Sequence, residues 1–267
     1  MLGRIALRIA AVEALKGATI VGSNVLDSEI GALDVGADGT LRTDQETYFI
    51  SVYTEGSKQE GANPGGGADL RSLHISGPTD IVFEFGATAA MVETDDATGV
   101  SQIVGLQIPA TDANFEFLLD IIERQLVNAL TDPNNAWAEI FRKLHSTTLT
   151  IDRRRTSSAE GTKVAARQIA IKLELLPDPI YGEPVAPTSA WAKFFTQLAL
   201  DTSAVTVKKR AALLALLGDP DGRLASETQR QRFAMTLEEV RAMFDIAVEA
   251  GEAGEPRITS VGMEQVP

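Results

Sequence analysis

The stretch HSTTLTIDRRRTSSAEGTKVAARQIAIKLELLPDP, residues 145–179, carries the strongest strand pattern of the chain. Threonine, isoleucine, valine and alanine fill two runs near 146–155 and 164–176, and a small polar segment at 157–161 separates them. β-Branched residues favour strands, and two such runs around a serine- and glycine-containing turn are typical of a hairpin. Proline ends the second run at Pro177 because it has no amide proton for a strand ladder.

The elements before this hairpin mix helices and strands. Apolar residues recur at helical spacing over 2–16 and 115–130, and a shorter helix with Trp137 follows. Strands are predicted for NVLDSEI, for TYFISVYTEG and for the run in which Ile81, Phe83 and Phe85 alternate with Val82 and Glu84. This order predicts an α+β fold, with a mainly antiparallel sheet flanked by two helices.

A proline-containing linker, YGEPVAPTSA, precedes three further amphipathic runs. They are AWAKFFTQLALD, VTVKKRAALLALLGD and TLEEVRAMFDIAVEAG. The sequence therefore predicts two parts, an α+β domain over 1–184 and a helical C-terminal extension over 185–267. We expect the extension to be set apart from the α+β core, so that a truncation near Thr188 still folds.

Bulk composition excludes several classes of protein. The 267-residue chain has no cysteine, so disulfides, thiolate nucleophiles and cysteine metal sites are excluded. Its net charge of −13 makes it a poor binder of nucleic acid, because phosphate contacts require lysine and arginine. No apolar run approaches the roughly 20 residues of a membrane span, and Arg4 and Arg8 interrupt the N-terminal apolar run, so we expect a soluble protein without a signal peptide.

Candidate chemical sites are sparse. The two histidines, His74 and His145, have no second ligand at zinc spacing. The glycines at 65–67 lack the Lys-Ser/Thr of a phosphate-binding loop, and the aspartates at 95–96 and 219–222 lack the ligand spacing of a calcium loop. We therefore expect no catalytic residue, no bound metal and no cofactor.

Positive charge is concentrated in the hairpin of an otherwise acidic chain. Arg153, Arg154 and Arg155 are consecutive. Such a cluster is either a solvated strand end or a surface for an acidic partner, and the concentration in one hairpin favours the partner surface. We expect an acidic complement to this cluster, either at Asp27 and Glu29 or in the stretch that carries Glu93, Asp95 and Asp96.

Two segments are open to more than one interpretation. The acidic pair in GSNVLDSEIGALDV is either a catalytic or metal-binding site or the structural rim of a larger surface. The loop 56–68 is glycine-rich and interrupted by proline, which is typical of a segment that becomes ordered on contact with a partner. Its residues of interest are Ser57, Lys58, Gln59, Gly65, Gly66 and Gly67.

Four segments together resemble the tail terminator proteins of long-tailed (siphovirus) bacteriophages. They are VLDSEIGALD after a helix that ends near LKGAT, the strand YFISVYTEG, the run FLLDIIERQLVNALTDPNNAWAEIFRKL, and AARQIAIKLELLPDPIYGEP. The first is close to a V-x-D-S-x-I-x-P-L-D pattern of that family, with Ala32 in place of the proline. The resemblance covers roughly residues 1–184, and the extension has no counterpart.

The resemblance implies a structural virion protein, not an enzyme. Such proteins form a homohexameric ring that caps the tail tube protein, stops its polymerisation and joins the tail to the head–tail connector or stopper protein. The expected location is the tail–neck junction of the virion, after assembly in the host cytoplasm, with no membrane partner. DNA would pass through the channel without specific binding, repelled by carboxylates. The segment Asp27–Glu29 would be structural, and the loop of Ser57, Gly65 and their neighbours would face the tube. In such a ring we expect the acidic complement of the three arginines on an adjacent subunit.

Two other functions are alternatives. Another ring-forming neck component, such as a head–tail stopper or a tail tube protein, would share much of this pattern. An unrelated soluble enzyme that uses an acid pair is the second alternative, although no complete catalytic site is recognisable.

Overall fold

The structure is a computed structural model. It describes residues 2–28, 48–57, 77–87, 89–94, 101–107, 111–157, 163–218, 225–244, 249–250 and 256–257.

Seven helices and nine strands are present in the described part of the chain. The helices are α1 (Leu2–Leu15), α2 (Ala113–Thr131), α3 (Ala136–Lys143), α4 (Ala190–Leu198), α5 (Ala204–Ala215), α6 (Ala225–Arg232) and α7 (Leu237–Phe244). The strands are β1 (Val25–Asp27), β2 (Tyr48–Ser57), β3 (Pro78–Ala87), β4 (Ala89–Thr94), β5 (Ser101–Gln107), β6 (His145–Ser157), β7 (Lys163–Leu175), β8 (Glu249–Ala250) and β9 (Pro256–Arg257). No helix in these ranges is both long and apolar enough to cross a bilayer.

The main sheet has five strands in the order β1-β2-β3-β7-β6. Only the β1–β2 pair is parallel, and the other three pairs are antiparallel. β3 and β7 approach each other closely at Gly86, where an added Cβ would lie 2.7 Å from the carbonyl oxygen of Ala165. The α+β prediction with a mainly antiparallel sheet is therefore confirmed.

One side of the sheet, here called the helix face, packs against α1, α2 and α3. Ile81, Phe83 and Phe85 lie on this face and are fully buried, as their alternation predicts. Val82 and Glu84 lie on the opposite side, here called the distal face, and Val82 is also fully buried. The central strands therefore carry buried side chains on both faces.

Side-chain caps hold the helices against the sheet. Asp112 caps α2, accepting hydrogen bonds from the backbone amides of Asn114 and Phe115. Asp178, just after β7, accepts hydrogen bonds of 2.8 Å from the amides of Leu2 and Gly3 and so caps α1 across the fold. A residue beyond the last strand therefore positions the first helix.

The predicted separation of the C-terminal extension from the core is wrong for α4. Its apolar side chains belong to the same buried cluster as those of α1, α3 and β3. Phe194 is fully buried and lies edge-to-face against Trp137, with ring centroids 6.2 Å apart. An apolar helix gains stability by burying its stripe against the core, and Val185 of the linker packs against the same cluster. The boundary at 184/185 itself stays a prediction.

Helix α6 was not expected from the sequence. Apart from Ala225 it is polar, ASETQRQR, and it shows no apolar periodicity that could have indicated a helix. The predicted third helix of the extension corresponds to α7.

Candidate functional site

The three consecutive arginines lie near the end of β6, at one edge of the main sheet. Arg153 is opposite Ile169 of β7, Arg154 is opposite Gln168, and Arg155 is opposite Arg167. Ile169 is buried beneath the helices, so Arg153 and Arg155 project from the helix face. Because successive strand residues alternate between faces, Arg154 projects from the distal face.

Carboxylates of α2 neutralise the arginines on the helix face. The Nε of Arg153 lies 2.8 Å from Oε1 of Glu123, and Arg155 pairs with Glu116. Arg167 of β7 pairs with the same Glu116, at 2.8 Å, and with Asp120. The acidic complement expected on an adjacent subunit therefore lies in the same chain for two of the three arginines.

Helix geometry explains this network. Residues 116, 120 and 123 are spaced by four and three, so their side chains form one stripe along α2. Hydrogen bonds from Thr111 and Arg167 lower the pKa of Glu116, which keeps this carboxylate charged. The spacing was readable in the sequence, but a helix stripe does not show which strand it will cover.

Arg154 differs from its two neighbours in its environment. It is exposed, and no carboxylate among the described residues forms an ion pair with it. Asp152 projects from the same distal face and is also exposed. On the distal face, the cluster therefore presents one arginine, Arg154, beside one aspartate, Asp152.

The distal face carries a half-buried polar group next to these residues. Gln168 donates a 2.9 Å hydrogen bond from Nε2 to the Tyr53 hydroxyl, which donates one of 3.3 Å to Glu84. Burial raises the pKa of Glu84 and that of Tyr53. A carboxyl with a raised pKa occurs in acid–base sites as well as in structural networks. Here every member bonds to the next along neighbouring strands, which holds β2, β3 and β7 in register.

The acidic segment of residues 27–29 is only partly described. Asp27 accepts a hydrogen bond from Nε of Arg8 and lies 3.5 Å from Nζ of Lys209. These two pairs join β1 to α1 and α5 within one chain. Glu29 lies outside the described residues, so its predicted interface role stays a prediction.

Asp27 lies at the rim of a cavity of about 470 Å³ between the sheet and the extension. Its lining includes the apolar Val12, Val25 and Trp137. The charged lining residues are two lysines, Lys16 and Lys209, and three carboxylates, Glu13, Asp27 and Asp201. Each lysine is paired with one of these carboxylates, Lys16 with Glu13 at 2.6 Å and Lys209 with Asp27 at 3.5 Å, so the lining offers no unpaired lysine to an anion.

The remaining predicted sites can be placed only in part. Ser57 ends β2 and is exposed, whereas Lys58, Gln59 and the glycines at 65–67 lie outside the described residues, as does His74. His145 begins β6 and lies edge-to-face against Phe141 at 5.5 Å, where burial lowers its pKa. In the described ranges no group of three or more possible ligands could hold a metal ion.

Comparison with known proteins adds no assignment. No protein-family model matches the chain, and no curated protein is significantly similar to it.

Proposed function

We propose that this protein is a structural component of a long-tailed phage virion, a tail terminator that forms a homohexameric ring on the tail tube. It stops tube polymerisation and joins the tail to the head-side connector or stopper protein at the tail–neck junction. The proposal rests on the sequence resemblance over residues 1–184 and on the character of the sheet edge.

The observation that supports it most is the exposed edge strand β6. It is 13 residues long and pairs with β7 alone in the described part of the chain. Residues 146–155 are all exposed, including the apolar Leu149 and Ile151, which are 46% and 48% exposed. An edge strand of this length is a template for pairing with another chain, which a ring subunit requires.

The charge of the chain is compatible with a channel for DNA. A net charge of −13 per copy would be multiplied in a ring. Carboxylates at a channel wall repel phosphates and would let DNA pass without adhering.

The oligomeric state tests the proposal directly. Native mass spectrometry of the purified protein should give a species of six times the chain mass. Virions that carry a C-terminal label should show it at one position, the head end of the tail. A label along the whole tail would favour a tube protein instead, and a strictly monomeric protein would contradict the ring and favour the enzyme alternative.

The arginine cluster gives a sharper test of the subunit contact. Arg154→Glu should weaken hexamer formation without unfolding the chain, because Arg154 has no described ion-pair partner in its own chain. Arg153→Glu with Arg155→Glu should instead lower the stability of the fold modestly, because both new carboxylates would lie against Glu116 and Glu123 of α2 at partly exposed positions. If Arg154→Glu assembles normally, the cluster is not part of the subunit contact.

A further inference from the structure

The free edge of β6 has one regular segment. Pairing with β7 shifts register twice before Thr150 and once after Arg155. Bulges of this kind blunt an edge. Between them, residues 150–155 pair with β7 in one continuous register, and all six are exposed. This segment therefore offers regularly spaced backbone groups to a further strand.

Most charges around the segment are neutralised within the chain. Arg153 and Arg155 pair with Glu123 and Glu116 of α2, and Lys172 of β7 lies 3.8 Å from Asp80 of β3. A net charge of −13 opposes contact between two copies in general. The edge of β6 has little net charge of its own, so two copies can approach each other there.

Asp152 and Arg154 are the charged residues of the segment that have no ion pair in the described part of the chain. Both are exposed, and both project from the distal face. They are two residues apart on one strand, which separates them by about 6.6 Å along the backbone, too far for a direct ion pair. Each of them can gain an opposite charge from another chain.

The order of these two residues is complementary to itself. When two β6 strands pair antiparallel about a two-fold axis at Arg153, Arg154 of each copy lies directly opposite Asp152 of the other. Opposite charges at directly opposed positions stabilise a strand pair, and like charges destabilise it. An axis one residue away, at Asp152 or at Arg154, would instead set two aspartates or two arginines against each other.

The helix face accommodates the same register. Ile151, which is 48% exposed, would lie opposite Arg155 of the second copy and lose exposed area beneath its aliphatic stem. The two Arg153 residues would meet at the axis, each already bound to a Glu123 carboxylate at 2.8 Å. Their charges are therefore neutralised before the two copies come together.

We infer that two copies of the free protein pair antiparallel through residues 151–155 of β6, about a two-fold axis at Arg153. The contact joins two five-stranded sheets into one continuous sheet. The same surface is used on both copies, so the assembly closes as a dimer.

This dimer goes beyond the proposed function, because it requires no ring. It covers the β6 edge in protein that is not yet on a tail, and an uncovered edge strand of this kind promotes aggregation. A ring that uses the same edge would form in exchange for the two-fold contact.

Charge reversal and mixing test the contact. Asp152→Arg leaves two positive charges on the distal face of the segment, and Arg154→Asp leaves two negative ones. Each variant alone should self-associate at least about tenfold more weakly than the native chain, because both opposed pairs become repulsive. An equimolar mixture should form a heterodimer about as tightly as the native dimer. Sedimentation equilibrium measures the affinities, and native mass spectrometry identifies the heterodimer.

The double variant, Asp152→Arg with Arg154→Asp, is the matched control. It has the net charge of the native chain with the two charges exchanged. It should dimerise with itself as the native chain does and should not form a mixed dimer with the native chain, since like charges would then be opposed. Circular dichroism checks that every variant is folded.

The outcomes separate this inference from the proposed function. A native chain without a dimer, or single variants that fail to form the heterodimer, would overturn the two-fold contact, and a hexamer found in the same samples would leave the ring in place. A dimer that passes the mixing test in a protein that never forms a hexamer would support the edge contact and contradict the ring.

Discussion

Helices α4 and α5 both follow the proline-containing linker, and each was predicted from an apolar stripe, but the stripe of α4 is buried and that of α5 is mostly exposed. In α4, Trp191, Phe194, Phe195 and Leu198 are all buried. In α5 only Leu213 is buried, while Val205 and Val207 are 65% and 52% exposed. Amphipathic spacing therefore predicts a helix but not how much of its stripe the fold will bury.

The two helices are also held by different interactions. The indole N–H of Trp191 donates to the carbonyl of Pro177, and Lys193 pairs with Glu139 of α3 at 3.0 Å. α5 is held by its N-cap, where Ser203 accepts from the amide of Thr206, by the pair of Lys209 with Asp27 at 3.5 Å, and by the single buried side chain of Leu213. We conclude that α4 is a core element and that α5 is a peripheral one.

Truncation should separate the two helices most strongly. Relative to a chain that ends at residue 202, a chain that ends at residue 188 also loses the four buried side chains of α4, each worth about 1.5–3 kcal/mol. The sum is comparable with the 5–15 kcal/mol that typically stabilises a domain, so this chain should be insoluble or unfolded. A chain that ends at residue 202 keeps α4 and should fold with a cooperative thermal transition. Equal solubility of the two would show that α4 is dispensable.

Single substitutions should also destabilise the protein more in α4 than in α5, with smaller losses than the truncation. Phe194→Ala leaves a cavity beside Trp137 and should lower the free energy of unfolding by about 3–5 kcal/mol. Leu214→Ala, at a partly exposed position of α5, should change it by less than about 0.5 kcal/mol. Urea denaturation followed by tryptophan fluorescence measures both. Similar losses for the two variants would mean that α5 is covered.

Removal of the N-cap of α4 should lower global stability, whereas removal of the N-cap of α5 should have only a local effect. Ser189 accepts from the amide of Ala192, and its replacement by alanine should cost about 1 kcal/mol of global stability. Ser203→Ala should instead fray α5 locally and leave the global transition unchanged. Hydrogen exchange of α5 amides distinguishes local from global loss, and a lower global midpoint for Ser203→Ala would contradict the peripheral assignment.

The smallest effect concerns pH. Hydrogen bonds from Lys143 and Lys193 lower the pKa of Glu139 to about 2. A carboxyl with a lowered pKa in the folded state contributes stability that is present above its unfolded pKa and is lost as pH falls through the folded value. The α3–α4 ion pair should therefore persist down to about pH 2–3, as an NMR titration of the carboxyl carbon would show. In Glu139→Gln the contribution should be absent, and a Glu139 midpoint near its usual value of 4.5 would rule out the ion pair.

Local patterns were sufficient for several elements. The hairpin strands were predicted at 146–155 and 164–176 and lie at His145–Ser157 and Lys163–Leu175. A cap at the start of α2, by Thr111 or Asp112, was also readable, because a cap acts within a few residues of the helix that it begins; in the structure Asp112 is the cap. The cap of α1 by Asp178 was not, because the two partners are 175 and 176 residues apart in sequence.

The three arginines at 153–155 also combine a feature that local sequence predicts with one that depends on tertiary packing. Three adjacent arginines in a β-rich segment are enough to predict a positively charged strand, and the alternation of strands already places the middle residue on the other face. Which of the two faces receives the acidic stripe of α2 depends on the packing of that helix across β7. Burial of Ile169 and its neighbours under α2 brings Glu116 and Glu123 to Arg155 and Arg153 and leaves Arg154 to solvent. Contacts between elements far apart in sequence, driven by burial of apolar area, thus decided which arginine is available to a partner.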